Sequence, residues 1–238
     1  QAAMISVPPE MWVKVGRFGL NRLGRADTLG VSSGYPGEGT GLVSDTVASI
    51  TGEPVHAVIR MDEDTLASTI DSLGGVHVNV TKRFYEWRVR KRFGVGIRHL
   101  NGERAKWFIS PYVGGPQGKP EARERRQQQL LLAMLTKLRE APPQVRERFA
   151  KMHCAHDGRV TAETNLTARE LDQFLGALRQ TPTVRQVTLT HVLEPFEVQA
   201  MHDRGEALRP RDNDYAAVRD IVHGAFEQGQ TTAAIAAK

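Results

Sequence analysis

One cysteine in 238 residues, Cys154, excludes a disulfide within the chain. His153 and His156 flank it, but the trio lacks the fourth ligand and the spacing of a zinc site, so the segment reads as structural or surface. No apolar run approaches the ~18 residues that cross a bilayer, and no signal peptide is expected within these residues. The chain opens directly on "QAAMISV", a strand-like run. Domains seldom begin in mid-strand, so a preceding segment is expected. There is no internal repeat and no heptad series, which excludes solenoids and coiled coils. Acid is the scarcer charge, 27 Asp and Glu against 32 Lys and Arg, giving +5 and a pI near 9.6. That balance favours anionic partners: phosphates, anionic lipid, acidic glycans or nucleic acid. It does not choose among them.

What is present is ordinary globular composition, 40% hydrophobic and 25% charged, enough for one good core. A single domain over residues 1–229 with a flexible C-terminal tail at 230–238 is expected. "AAMISV" reads as a buried strand ended by Pro8 and Pro9, and "GYPGEGTG" (34–41) as a turn-rich loop. Residues 42–52 show helical spacing and stop at Gly52. "VHAVIRM" (55–61) alternates like a strand, Asp62 caps a helix carrying Leu66, Ile70 and Leu73 on one face, and "VHVNV" (76–80) is a strand again. Strand, helix, strand at that spacing is a βαβ unit. It predicts an α/β fold, a central mixed β-sheet sandwiched between helices in three layers, with 55–61 and 76–80 in a common sheet.

Further on, "RFYEWRVRKRFGVGIRH" (83–99) is basic and aromatic. Its arginines keep no single face of a regular element, so it reads as an exposed basic loop rather than a nucleic-acid-reading element. A short helix is expected at 101–108, a loop at 111–120, and the longest helix at 121–141. Thr167 caps another helix, a strand follows in "VRQVTLTHVL", and a last helix runs from Asp212 to Gln228.

The first turns of the long helix hold Arg123, Arg125 and Arg126. The helix dipole already makes that end electropositive, and its free N–H groups point outward. Arg123 and Arg126 lie three apart on one face, and Gln127 follows Arg123 by four. A glycine-containing loop, a helix N-terminus and clustered arginines suit an anion, phosphate above all; a solvated, partly self-paired charge run fits the same residues. The helix continues into Leu130, Leu131, Leu132, Met134, Leu135 and Leu138, broader than one stripe. That breadth predicts packing on two sides, or an apolar slot.

The order of these segments resembles the LytR–CpsA–Psr family. "SVPPEMWV" (6–13) resembles its S-[IV]-P-R-D-x-W-V corner and "NRLGRADTLG" (21–30) its next segment. "TGEPVHAVIRMDEDTLASTIDSLGGVHVNV" is similar to its strand–helix–strand centre, "HLNGERAKWF" to its L-x-G-x-x-A-L-x-Y turn, and "ARERRQQQLLLAMLTKL" to G-R-x-x-R-Q-Q with an apolar helix. The resemblance implies an extracytoplasmic protein, membrane-anchored through an N-terminal segment absent from this chain. Such proteins transfer glycopolymers of the teichoic acid or capsule type from a polyprenyl pyrophosphate carrier to peptidoglycan, assisted by Mg2+ or Mn2+. It places the pyrophosphate on Arg123, Arg126 and Gln127, with Arg22 at a further basic position, and leaves Glu10 as the candidate metal ligand. The lipid would lie in an apolar tunnel.

The chain departs from that pattern where chemistry is concentrated. Pro9 stands where the family has an arginine and Glu10 where it has an aspartate. Ser110 and Tyr112 stand in place of two more arginines, and the metal-binding aspartates of the preceding strand have no counterpart. No catalytic residue is assigned. The expectation is therefore a family member with transfer reduced or lost, or a non-catalytic module that binds lipid phosphate or an anionic envelope glycan. A nucleic-acid-binding module resting on the basic charge is the competing class, and no nucleic-acid partner is expected.

Overall fold

The computed structural model describes residues 2–144, 163–180 and 183–227. Cys154 with its flanking histidines and the expected tail at 230–238 lie outside the described residues. Strand β1 (Ala2–Ser6) leads through the Pro8–Pro9 corner to β2 (Trp12–Lys14) and β3 (Leu20–Arg22). Helices α1 (Ala26–Ser33) and α2 (Glu38–Thr51) follow, then β4 (Ile59–Arg60), α3 (Glu63–Ser72) and β5 (Val76–Val80). Next come β6 (Phe84–Glu86), β7 (Lys91–Phe93), β8 (Gly96–Leu100), α4 (Gly102–Ile109) and the long α5 (Pro120–Glu140). The remainder is β9 (Glu163–Thr164), α6 (Ala168–Arg179), β10 (Val184–Thr188), β11 (Leu193–Ala200), β12 (Asp203–Pro210) and α7 (Tyr215–Glu227).

Helix ends follow local chemistry. Asp62 Oδ1 accepts the Thr65 N–H and Asn101 Oδ1 the Arg104 N–H, each satisfying a donor that has no partner inside its helix. Thr167 and Glu170 form a reciprocal capping box on α6. The expected loop at 34–41 is a correction: α2 already begins at Glu38. Its glycines serve close packing rather than flexibility. A Cβ on Gly39 would fall 2.2 Å from Asp27 Oδ1, and one on Gly30 2.4 Å from the Glu38 carbonyl, so α1 and α2 meet backbone to backbone.

The mixed α/β fold is as expected, but the pairing differs in detail. Strands are hydrogen-bonded two by two, one pair parallel and five antiparallel among the described residues. Residues 55–61 and 76–80 do not share a ladder. Only Ile59–Arg60 of the first is strand, paired with β9, while β5 pairs with β8. The basic segment 83–99 is likewise not a loop: β6 and β7 form a hairpin that continues into β8.

Two compact units make up the chain, residues 1–55 with 181–238, and residues 56–180. The first closes on itself over long sequence distance, β1 running parallel to β10 from Ala2↔Val184 to Ser6↔Thr188. Its core gathers Met11, Val13, Leu42, Ile50, Leu189 and Val218. In the second, alternation along β5 buries Val76, Val78 and Val80 against Phe84, Phe93 and Phe108. Helix α5 packs on two sides, Leu130 and Met134 in that cluster and Leu138 with Leu171 and Leu175 of α6. The breadth of its apolar surface is thus mostly core, with Leu131 left 42% exposed.

Candidate functional site

In the first unit the Pro8–Pro9 corner is a backbone knot. The Met11 N–H donates to the Pro8 carbonyl at 3.0 Å, the Gly24 N–H to the Pro9 carbonyl at 2.8 Å, and the Leu208 N–H to the Glu10 carbonyl at 3.1 Å. Pro9 itself is exposed and has no N–H to offer a ligand. Arg22, four-fifths buried, turns onto the β11–β12 hairpin. Its Nε meets Asp203 Oδ2 at 2.9 Å, and its Nη atoms donate to the carbonyls of Glu206 and Gly205. Trp12 packs on the same hairpin, stacked on His202 and edge-on to Phe196. Glu10 and Arg22 are thus both tied to β12, Glu10 through its backbone.

In the second unit Arg123, Arg126 and Gln127 lie at the start of α5 but face differently. Arg126 is 5% exposed. Its Nε donates to the Phe108 carbonyl at 2.7 Å, Nη1 to Gln117 and Nη2 to Ser110 at 3.2 Å, and its guanidinium lies over the Phe84 ring. Burial first, and then the positive charge of Arg123, push its pKa down to about 10, so it remains charged at neutral pH. Arg126 therefore clamps the end of α4 and the loop after it. The sequence carried a signal for this: Arg126 stands four and eight residues before the buried Leu130 and Met134, on the same stripe. Arg123 and Gln127 are half-buried on the neighbouring stripe.

Beside this clamp sits a cleft of about 420 Å³, with Glu86, Arg88, Lys106, Trp107, Ser110 and Tyr112 among its walls. Glu86, 2% exposed, accepts the Val89 N–H at 2.7 Å and the Ser110 hydroxyl at 2.9 Å. Ser110 in turn receives Arg126 on its carbonyl and the Tyr112 N–H on its Oγ. The buried charges of this network are each held by several partners, which makes it rigid. At the rim, Arg88 lies over Tyr112, Lys91 over Trp107, and Lys106 pairs with Asp64. The cleft offers aromatic walls and mixed charge, but Ser110 brings no cation to it.

A divalent ion needs converging carboxylates, usually together with substrate phosphates. Among the described residues no three His, Cys, Asp or Glu side chains converge. Glu10 brings a single carboxylate, so the set does not fit a preformed Mg2+ or Mn2+ site.

The sequence model of the LytR_cpsA_psr family matches residues 1–206. The chain belongs to that family. The Bacillus subtilis protein named polyisoprenyl-teichoic acid–peptidoglycan teichoic acid transferase TagU is 27% identical over 135 residues, 56% of this chain and 40% of the relative. The match thus spans well under half of that relative's length. Among solved structures, a protein described as a transcriptional regulator from Enterococcus faecalis superposes with a TM-score of 0.71 at 16% identity, covering 94% of this chain and 76% of its own. The LytR-CPS2A-psr family protein YwtF (TagT), solved with bound octaprenyl pyrophosphate lipid, gives a TM-score of 0.64 at 16% identity over 94% of this chain and 78% of its own. At those identities the structures establish the fold of this LytR–CpsA–Psr member.

Proposed function

We propose that this chain is a cell-envelope LytR–CpsA–Psr protein that binds a polyprenyl-linked glycopolymer and has lost most of the capacity to transfer it to peptidoglycan. The first half rests on family membership, on the transferase name carried by TagU and on the octaprenyl pyrophosphate bound to YwtF. An extracytoplasmic location, with an N-terminal membrane anchor outside this chain, belongs to the same proposal.

The observation that carries the second half is the local chemistry around Arg126. Transfer from a pyrophosphate needs the developing negative charge neutralised by preorganised donors. Arg126 is occupied by three carbonyls, and Ser110 is tied to Glu86. Each missing donor of this kind typically costs ~10²–10³ in rate. Arg123 and Gln127, half-buried on the neighbouring stripe, are the groups this reading assigns to a phosphate at the start of α5, where N–H groups and dipole assist them. Without turnover, the same surface serves as a binding module for lipid phosphate or anionic glycan. Direct titration with a short-chain polyprenyl phosphate tests the reading. Binding that weakens at least severalfold in Arg123→Ala supports it, and affinity unchanged in that variant overturns it.

A further inference from the structure

Residues 82–98 hold seven Lys or Arg and a single acid, Glu86. That acid is buried, so the outer face of the segment carries one sign of charge. The register fixes what else that face presents. Phe84↔Phe93 and Val80, Val78 and Leu100 point into the core, and therefore Tyr85↔Arg92 and Asn79↔Ile97 point away from it. Ile97 is 74% exposed and Trp87 56%, with Val95 and Tyr85 also open to solvent. Large aliphatic and aromatic side chains sit among arginines along the β6–β7 hairpin and the segment that runs on into β8, Trp87 edge-on to Tyr112 and Ile97 the most open of them.

We infer that this outward face, built on Tyr85, Trp87, Arg88, Arg92, Val95 and Ile97, docks peripherally onto the surface of an anionic lipid bilayer. Charge complementarity selects an anionic partner, since clustered Lys and Arg are drawn to acidic headgroups within a Debye length. The aliphatic groups then select lipid among anionic partners. Ile97 and Val95 gain nothing from a hydroxylated polymer or from phosphodiester, whereas interfacial segments bury such side chains at the headgroup boundary beside Trp and Tyr. Arg92 lies 6.0 Å over Tyr85 and Arg88 4.7 Å over Tyr112, so a cation covers one face of each ring and leaves one; it is the aliphatic Val95 and Ile97, which give a base nothing to stack on, that favour lipid over nucleic acid. The surface involves none of Arg123, Gln127 and Arg22, so the inference stands or falls apart from the glycopolymer reading.

The test is co-sedimentation of the purified chain with vesicles of phosphatidylglycerol and, separately, of phosphatidylcholine. Binding to the first and at least about tenfold weaker binding to the second is expected, with weakening at high salt. Ile97→Ser with Trp87→Ser keeps every charge and should lower partitioning about tenfold; Arg88→Glu with Arg92→Glu should lower it further. Ile97→Ser alone, at a position 74% exposed, guards against loss of the fold and should still weaken binding measurably. Equal binding to both vesicle types, or full binding by both apolar variants, overturns the inference. So does displacement of the chain from vesicles by single-stranded DNA or by an anionic wall polymer at equal phosphate, which would name another partner for this face.

Discussion

The arginines at the start of α5 and those on the β6–β7 hairpin belong to one unit and to one stretch of basic sequence logic, yet they do opposite things. Arg126 is buried and holds three backbone carbonyls, while Arg88 and Arg92 stand exposed over aromatic rings. Arg22, in the other unit, sides with Arg126: it is tied to Asp203 and two carbonyls of the β11–β12 hairpin. The comparison teaches that positive charge in this protein is used in two currencies of structure, inward as scaffold and outward as surface. Composition counts both kinds alike, and only their partners distinguish them.

The largest effect expected from breaking this comparison is on stability. Arg126→Ala removes a buried guanidinium and leaves three carbonyls without their donors, and it should lower unfolding free energy by about 3–5 kcal/mol in urea titration. Arg88→Ala and Arg92→Ala, by contrast, should stay within about 0.5 kcal/mol of the parent. Equal losses at all three positions would erase the distinction. Next in size is the network that Arg126 supports: Ser110→Ala should cost about 1–3 kcal/mol, because the buried Glu86 carboxylate loses the Ser110 hydroxyl as a donor.

A smaller and functionally sharper effect is expected at Arg123 and Gln127. Arg123→Ala should weaken polyprenyl phosphate binding by about 1.5–3 kcal/mol and move the urea midpoint less than Arg126→Ala does, since Arg123 is half-buried and Arg126 is 5% exposed. Gln127→Ala should follow with about half that change. A loss of stability at Arg123 as large as at Arg126 would place it among the scaffold arginines too.

The smallest effect concerns α6. Hydrogen bonds from the Thr167 N–H and hydroxyl hold the Glu170 pKa below the usual carboxylate range. A carboxyl with a depressed folded pKa contributes stability that is complete above its unfolded value and disappears as pH falls through the folded one. The melting advantage of the parent over Glu170→Gln should therefore be full at neutral pH and fade below about pH 4. An advantage that persisted unchanged into stronger acid would mean that the charge of Glu170 is not what secures the cap.

Much of the fold was legible where one residue decides a local question. Asp62 and Thr167 announced their helices because a cap is a contact within four residues. The alternation of 76–80 announced β5 in the same way. The β6–β7 hairpin was not legible, because its turn lacks an Asn-Gly or Gly signal; Arg90 takes the left-handed conformation instead, at φ 56°. Strand β4 shrank to two residues because its partner, β9, lies about a hundred residues on and is equally short. The β11–β12 hairpin that captures Arg22 was not anticipated. The site divides along the same line. Residue types at 123–127 suggested an anion cradle, but whether a guanidinium meets a ligand or a carbonyl depends on the loop at 108–117, which only the folded chain brings under α5.

The central claim is that this family member retains the binding surface and has lost most of the transfer chemistry. It is tested most directly by phosphate release from a short-chain polyprenyl pyrophosphate with Mg2+ or Mn2+ added, measured beside a family member that has arginines at the positions of Pro9, Ser110 and Tyr112. The account predicts measurable binding with a rate at least about a hundredfold below that comparator. A rate within about tenfold, ~1.4 kcal/mol in barrier, would contradict it and show that other residues of this chain supply the missing charge.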